Sequence, residues 1–131
     1  MTQQTQGETL FRGIAGTGAT SYAYGPWLHA PADAAVFGVQ INNLTAELTL
    51  KWSVETKNVT DTDAAATALM TDQSETSTGV KYSLNGGSSP VALSGCKELY
   101  RYRFATPGVA TTTEWVNFRD LSPSWQRNGA R

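Results

Sequence analysis

Apolar and polar residues alternate without exception from Leu44 to Glu55. Leu44, Ala46, Leu48, Leu50, Trp52 and Val54 fall on one side, and Thr45, Glu47, Thr49, Lys51, Ser53 and Glu55 on the other. A strand points successive side chains to opposite faces, so this pattern predicts a half-buried strand with a dry face and a wet one. At about 3.3 Å per residue it would run roughly 40 Å, and a dry face of that length calls for a second sheet as cover.

The same period recurs along the chain. Tyr22, Tyr24, Trp27 and Leu28 predict an edge strand broken at Gly25-Pro26, because proline cannot donate to a ladder. Ala35, Phe37, Val39 and Ile41 predict a second strand, with a tight hairpin turn at Asn42-Asn43 leading into the long one. Further on, Val80, Tyr82 and Leu84 alternate against Lys81 and Ser83, Asn85-Gly86-Gly87 turns, and Pro90 to Leu93 returns as a short strand. Two late strands follow. In Lys97–Ala105, Tyr100, Tyr102 and Phe104 share a face opposite Leu99, Arg101 and Arg103; in Thr111–Arg119, Val116 and Phe118 oppose Trp115, Asn117 and Arg119.

Residues 56–78 are the least regular stretch and are expected to form a long connection. Ala64 to Met70 allows a short helix there, capped by Asp61 or Thr62. Residues 1–19 are polar and then glycine-rich, with Gly13, Gly16 and Gly18, and read as an N-terminal arm ahead of a single β domain over 20–131. The expected class is all-β, a β-sandwich or jelly-roll-like barrel with at most one short helix.

Composition narrows the function. The chain has 131 residues, enough for a real core, and only 16% are charged, against about a quarter in most soluble domains. Much of the surface is therefore neutral. A net charge of −1 argues against a nucleic-acid partner. Cys96 is the single cysteine, so no intrachain disulfide forms, and it reads as a small buried residue beside a Ser-Gly turn. The N-terminus lacks a basic region followed by an apolar core, and no apolar run reaches membrane-spanning length, so the chain is expected to be soluble at synthesis. The triplets Asn43-Leu44-Thr45 and Asn58-Val59-Thr60 match the glycosylation pattern but carry meaning only on a secretory route.

Catalytic chemistry finds little to build on. The Gly13–Gly18 stretch lacks the Lys-Ser/Thr of a phosphate-binding loop. His29 is the single histidine, and no Gly-x-Ser-x-Gly accompanies it. Asp61, Asp63 and Asp72 lack the glycine and distal glutamate of a calcium loop. Glu47 and Glu55 are the one carboxylate pair to weigh for glycoside hydrolysis, and their alternating polar strand reads instead as a solvent or contact face. No enzyme, cofactor or metal is expected.

The C-terminal part offers contact chemistry. From Lys97 onward the basic residues exceed the acidic ones by a formal +3, which leaves −4 on the remainder. If Lys97–Ala105 and Thr111–Arg119 pair as a hairpin with even-numbered residues inward, then Arg101, Arg103, Trp115 and Arg119 cluster outward. Arg and Trp are the residues of interface hot spots, and Arg bonds carboxylates in two places at once. Trp125 joins them as a contact candidate in the tail. Exposed aromatics also stack on sugars, and Tyr24, Trp27, Trp115 and Trp125 are candidates for a carbohydrate- or receptor-binding module.

In size, polar glycine-bearing arm, Thr/Ala/Gly-rich strands and aromatic-basic C-terminus, the chain resembles small auxiliary proteins of tailed-phage virions, especially head decoration (cement) proteins. The resemblance implies a β-rich protein, often trimeric, that binds the outside of a capsid lattice and bridges neighbouring coat subunits. The partners it implies are the major capsid protein or other virion subunits, with self-association as a trimer or dimer and with no nucleic acid or membrane. A tail or connector position is the alternative address.

Overall fold

The computed structural model describes residues 9–12, 21–45, 48–84, 89–106 and 115–126, and for Thr9–Arg12, Ser21 and Trp115 the backbone pairing alone. The strands are β1 (Thr9–Arg12), β2 (Ser21–Tyr24), β3 (Leu28–His29), β4 (Ala34–Val36), β5 (Gly38–Leu44), β6 (Leu50–Lys57), β7 (Thr67–Ala68), β8 (Gln73–Glu75), β9 (Gly79–Tyr82), β10 (Leu99–Thr106), β11 (Trp115–Asp120) and β12 (Ser124–Gln126). Among the described residues, sheet I has the order β1-β11-β5-β9. Sheet II has the order β2-β10-β6-β7, with β3 added beside β10 and β8 beside β6. A small pair, β4 and β12, completes the set. The fold is all-β and sandwich-like, with antiparallel sheets.

The core forms where apolar faces of both sheets meet. Trp52 and Val54 of β6, Tyr102 and Phe104 of β10, Ile41 of β5, and Val116 and Phe118 of β11 are all buried. Phe104 of sheet II tilts onto Phe118 of sheet I at 4.4 Å between ring centroids, and Trp52 stacks on Tyr102 at 6.0 Å. Each fully buried large side chain contributes about 1.5–3 kcal/mol of transfer free energy. Tyr102 also ties the layers together through its hydroxyl, which accepts from Gly38 N (3.1 Å) and donates to Leu121 O (2.8 Å). Burial pushes the phenols of both Tyr102 and Tyr100 up, that of Tyr100 to about 12.

The inward parity of the long alternating stretch holds, since Leu48, Leu50, Trp52 and Val54 are all buried. Its length does not. Leu44 ends β5 in sheet I, while β6 starts at Leu50 in sheet II, so the chain passes between sheets there, with a turn marked by Leu48 N bonding Thr45 O. A period of two reports which face is dry but not which sheet owns it. The hairpin turn expected at Asn42-Asn43 is absent. Both asparagines lie in β5, where the pairing with β11 shifts register between Asn117 and Phe118 and passes over Asn42 as a bulge.

Other expectations are corrected in detail. The strand expected through Ala35–Ile41 divides at Phe37 into β4 and β5. The face of β9 is inverted: Val80 and Tyr82 are exposed, and Ser83 is fully buried. Ser83 goes inward because it bonds both backbone groups of Phe37 and reaches Val91 O through its hydroxyl. Tyr82 in turn lies over Gly38, where an added Cβ would come within 3.0 Å of its ring. The expected return strand near Pro90 is reduced to a single bridge between Leu93 and Ala35. The possible helix over Ala64–Met70 is a 3₁₀ turn, Asp63–Ala65, with no side-chain cap from Thr62, and β7 follows it directly. The connection over residues 56–78 stays on sheet II, where β7 and β8 both pair with β6. Part of the expected arm, Thr9–Arg12, pairs with β11 and belongs to sheet I; the rest of 1–19 lies outside the described residues. The edge strand broken at Gly25-Pro26 is observed as β2 and β3, both on β10, and Cys96 is buried.

Candidate functional site

The most elaborate chemistry gathers on the outer face of sheet II. On β10, Tyr100, Tyr102 and Phe104 go into the core, so Arg101 and Arg103 must point out. Directly opposite Arg101 on β6 is Glu55, and opposite Arg103 are Ser53 on one side and Tyr24 of β2 on the other. Arg101 Nε donates to Glu55 Oε1 at 2.8 Å, and its guanidinium carbon lies 4.2 Å from the centre of the Tyr24 ring and 4.5 Å from that of Trp27. The cation is thus held by a carboxylate and two aromatic rings at once.

The break at Gly25-Pro26 delivers both rings. Gly25 N still bonds Tyr102 O, Pro26 has no proton to give, and pairing resumes at Leu28 opposite Tyr100. Trp27, in the gap, therefore bends back over the sheet. Its indole N–H donates to Asp63 Oδ1 at 3.0 Å, and the Lys57 ammonium reaches the same oxygen at 2.8 Å. Lys57 also donates to Asp61 O and lies 4.8 Å from the Trp27 ring centre. That hydrogen bond and charge from Lys57 are the main cause holding the Asp63 carboxyl below its ordinary value. Arg103 completes the arrangement, with Nη2 2.6 Å from Asp72 Oδ1 and Nη1 3.8 Å from Glu55 Oε2.

Lys57, Arg101 and Arg103 are matched by Glu55, Asp63 and Asp72, so the network carries no net charge. It is also tightly held: the side chains of Arg101 and Glu55 are 14% and 13% exposed. The face expected to be wet on β6 is therefore roofed over, and Ser53 beneath Arg103 is fully buried. Beside this roof, Tyr22 and Tyr24 on edge strand β2 are 57% and 52% exposed. A pinned cation and two open tyrosine rings thus lie side by side on a face whose ion-pair network carries no net charge.

The expected contact residues are dispersed over the molecule. The hairpin that would join Arg101 and Arg103 to Trp115 and Arg119 does not form, because β10 pairs with β2, β3 and β6 while β11 pairs with β1 and β5. Arg101 and Arg103 lie on sheet II. Arg119, on sheet I, is exposed and donates to Gln40 Oε1 at 2.9 Å. Trp115 has its backbone opposite Arg12 in sheet I, and its side chain lies outside the described residues. Trp125 is half-buried and packs edge-on against Phe37 (5.9 Å) and Tyr100 (5.3 Å), so its ring closes the end of the core.

The carboxylates that Arg101 and Arg103 meet are the chain's own. Glu55, weighed above as a hydrolytic acid, serves as their counter-ion, and Glu47 lies outside the described residues. His29 is exposed at the end of β3. Asp61, Asp63 and Asp72 bond Asn58 N, Lys57 and Arg103 respectively, and no group of three metal-ligating side chains occurs among the described residues. Nor, among them, is any helix long and apolar enough to cross a membrane. Comparison with protein-family models, curated proteins and solved structures finds no match.

Sequence reasoning singled out Arg101 and Arg103 as contact candidates and Tyr24 and Trp27 as sugar-stacking candidates without grouping the four, weighed Asp63 and Asp72 only as calcium ligands, and did not single out Lys57. The signal for Asp63 and Asp72 was weak, since loop carboxylates reveal a partner only once the loop is placed.

Proposed function

We propose that this chain is a non-enzymatic structural protein of a virion, of the capsid decoration (cement) kind, which binds the coat lattice and bridges neighbouring subunits. The observation that carries the reading is the Arg101 guanidinium fixed between the Tyr24 and Trp27 rings, next to the exposed ring of Tyr22. Arg, Tyr and Trp concentrate binding energy at protein interfaces, and side chains already ordered lose little entropy on docking. Internal charge balance means that no unpaired charge is buried when the face is covered. The chain is synthesised in soluble form and ends on the capsid surface, where self-association as a trimer or dimer multiplies weak contacts into avidity.

The test uses particles assembled without the protein. Purified chain is added, and bound copies are counted by co-sedimentation. The Tyr22→Ala/Tyr24→Ala variant is expected to keep its fold, read by circular dichroism, and to lose at least tenfold in occupancy. Full occupancy by that variant overturns the assignment of this face, and absence of binding by the unaltered chain to heads, with binding to tails or connectors, moves the address.

A second reading is favoured by one feature. Tyr22 and Tyr24 stand two residues apart on the same side of an edge strand, about 7 Å at strand spacing, a suitable platform for successive sugar rings. Glycan binding that disappears in the same double variant would support a carbohydrate- or receptor-binding role.

A further inference from the structure

A second site lies at the seam between the sheets, away from the arginine–aromatic face. There β8 of sheet II and β9 of sheet I come side by side around a hollow of about 340 Å³. Glu75 lines it and is 9% exposed. Its carboxylate accepts from the Trp52 indole N–H at 3.0 Å and from the Gln73 amide at 2.7 Å, and both bonds fall on Oε2. Oε1 has no donor among the described residues, and no Lys or Arg nitrogen there lies within 4 Å of the carboxylate. Lys81 borders the hollow, but its ammonium donates to Ser77 Oγ at 2.8 Å.

Neutral donors alone leave the carboxylate without a counter-ion, and Oε1 remains available to a cation that enters the hollow. The surroundings suit a cation on an aliphatic stem. Val80, Leu84 and Pro90 provide apolar wall, and the exposed Tyr82 ring offers a π face. Gln73 fixes the shape, because its amide also donates to Tyr82 O (2.9 Å) and accepts from Leu84 N (3.1 Å), stitching β8 to the far strand.

We infer that this hollow receives a basic side chain, the ammonium or guanidinium of a Lys or Arg on a partner protein, paired to Glu75 and packed along Tyr82. The site is independent of the Tyr22–Tyr24 face and stands or falls separately from it. The Trp52 indole N–H, bonded to the same carboxylate, is a built-in reporter by ¹H–¹⁵N correlation spectroscopy.

Capped arginine and capped lysine (Nα-acetyl, methylamide) should shift that resonance saturably, with dissociation constants on the order of millimolar for an isolated residue. Capped norleucine, with the stem but no charge, should bind at least tenfold more weakly. Glu75→Gln should abolish the response, and Tyr82→Ala, at a partly exposed position, should weaken it several-fold whether or not the first variant folds. No saturable shift, an equal response to norleucine, or an undiminished response in folded Glu75→Gln or in Tyr82→Ala would overturn the inference. Tighter binding of putrescine than of either capped residue would overturn the side-chain assignment in favour of a free amine.

Discussion

Replacing Arg101 by Met removes the charge at the centre of the sheet II network and keeps most of the stem. Four contacts disappear: the 2.8 Å bond to Glu55, the 3.7 Å ion pair with Asp63, and the stacking on Tyr24 and Trp27. A hydrogen bond between ionised groups is worth about 1.5–3 kcal/mol, and each cation–π contact about 0.5–1 kcal/mol where partly exposed. Arg103, 3.8 Å from Glu55 Oε2, still compensates the carboxylate in part, so the expected net loss is about 3 kcal/mol. The discount for an exposed pair is small because both side chains are more than four-fifths covered. In a domain of this size that loss lowers Tm by about 10 °C. Urea unfolding of the unaltered chain, Arg101→Met, Glu55→Gln and the double variant closes a thermodynamic cycle, with an expected coupling of about 1.5–2 kcal/mol. A coupling below about 0.5 kcal/mol would refute the idea that Arg101 and Glu55 stabilise one another, whatever the single variants lose.

Tyr102→Phe keeps the ring and strands the buried Gly38 N–H, at an expected cost of about 1–3 kcal/mol in urea unfolding, with faster hydrogen exchange at the Gly38 amide; unchanged exchange would show that the bond is not held. Asp120, at the end of β11, is partly buried beside Gly25, where an added Cβ would sit 3.9 Å from its carboxylate. Burial raises its carboxyl above the ordinary value, and the phenols on which its charge acts, those of Tyr100 and Tyr102, are neutral throughout the relevant range. A raised folded value means that stability from the neutral acid is full below the unfolded value near about 4 and is lost as pH rises through the folded one. Asp120→Asn should therefore stabilise the chain at pH 7, and the gain should shrink and vanish on acidification to that range; a pH-independent difference would contradict this account.

The alternation along β6 and β10 determined the fold class and which side chains are inward, because a period of two reports face directly and burial rewards it. Tyr100, Tyr102, Phe104, Val116 and Phe118 all enter the core as their spacing required. The turn chemistry of Gly25-Pro26 likewise located the break between β2 and β3 without help. What the sequence left open was which strands lie side by side. Leu44 and Leu50 obey one alternation and belong to different sheets, because face parity survives an inter-sheet crossing unchanged, and Arg103 and Arg119, on separate strands, also lie on different sheets. The contact site therefore depended on tertiary pairing. Setting β10 against β6 and β2 matched Arg101 with Glu55 and brought Tyr24 and Trp27 over it, whereas the hairpin suggested by chain order would have joined Arg101 to residues now on the other sheet. Glu75 shows the same limit at smaller scale: a glutamate in a polar stretch reads as solvated, and only the packing of β8 under the Gln73 stitch to the segment beyond β9 buries it beside Trp52.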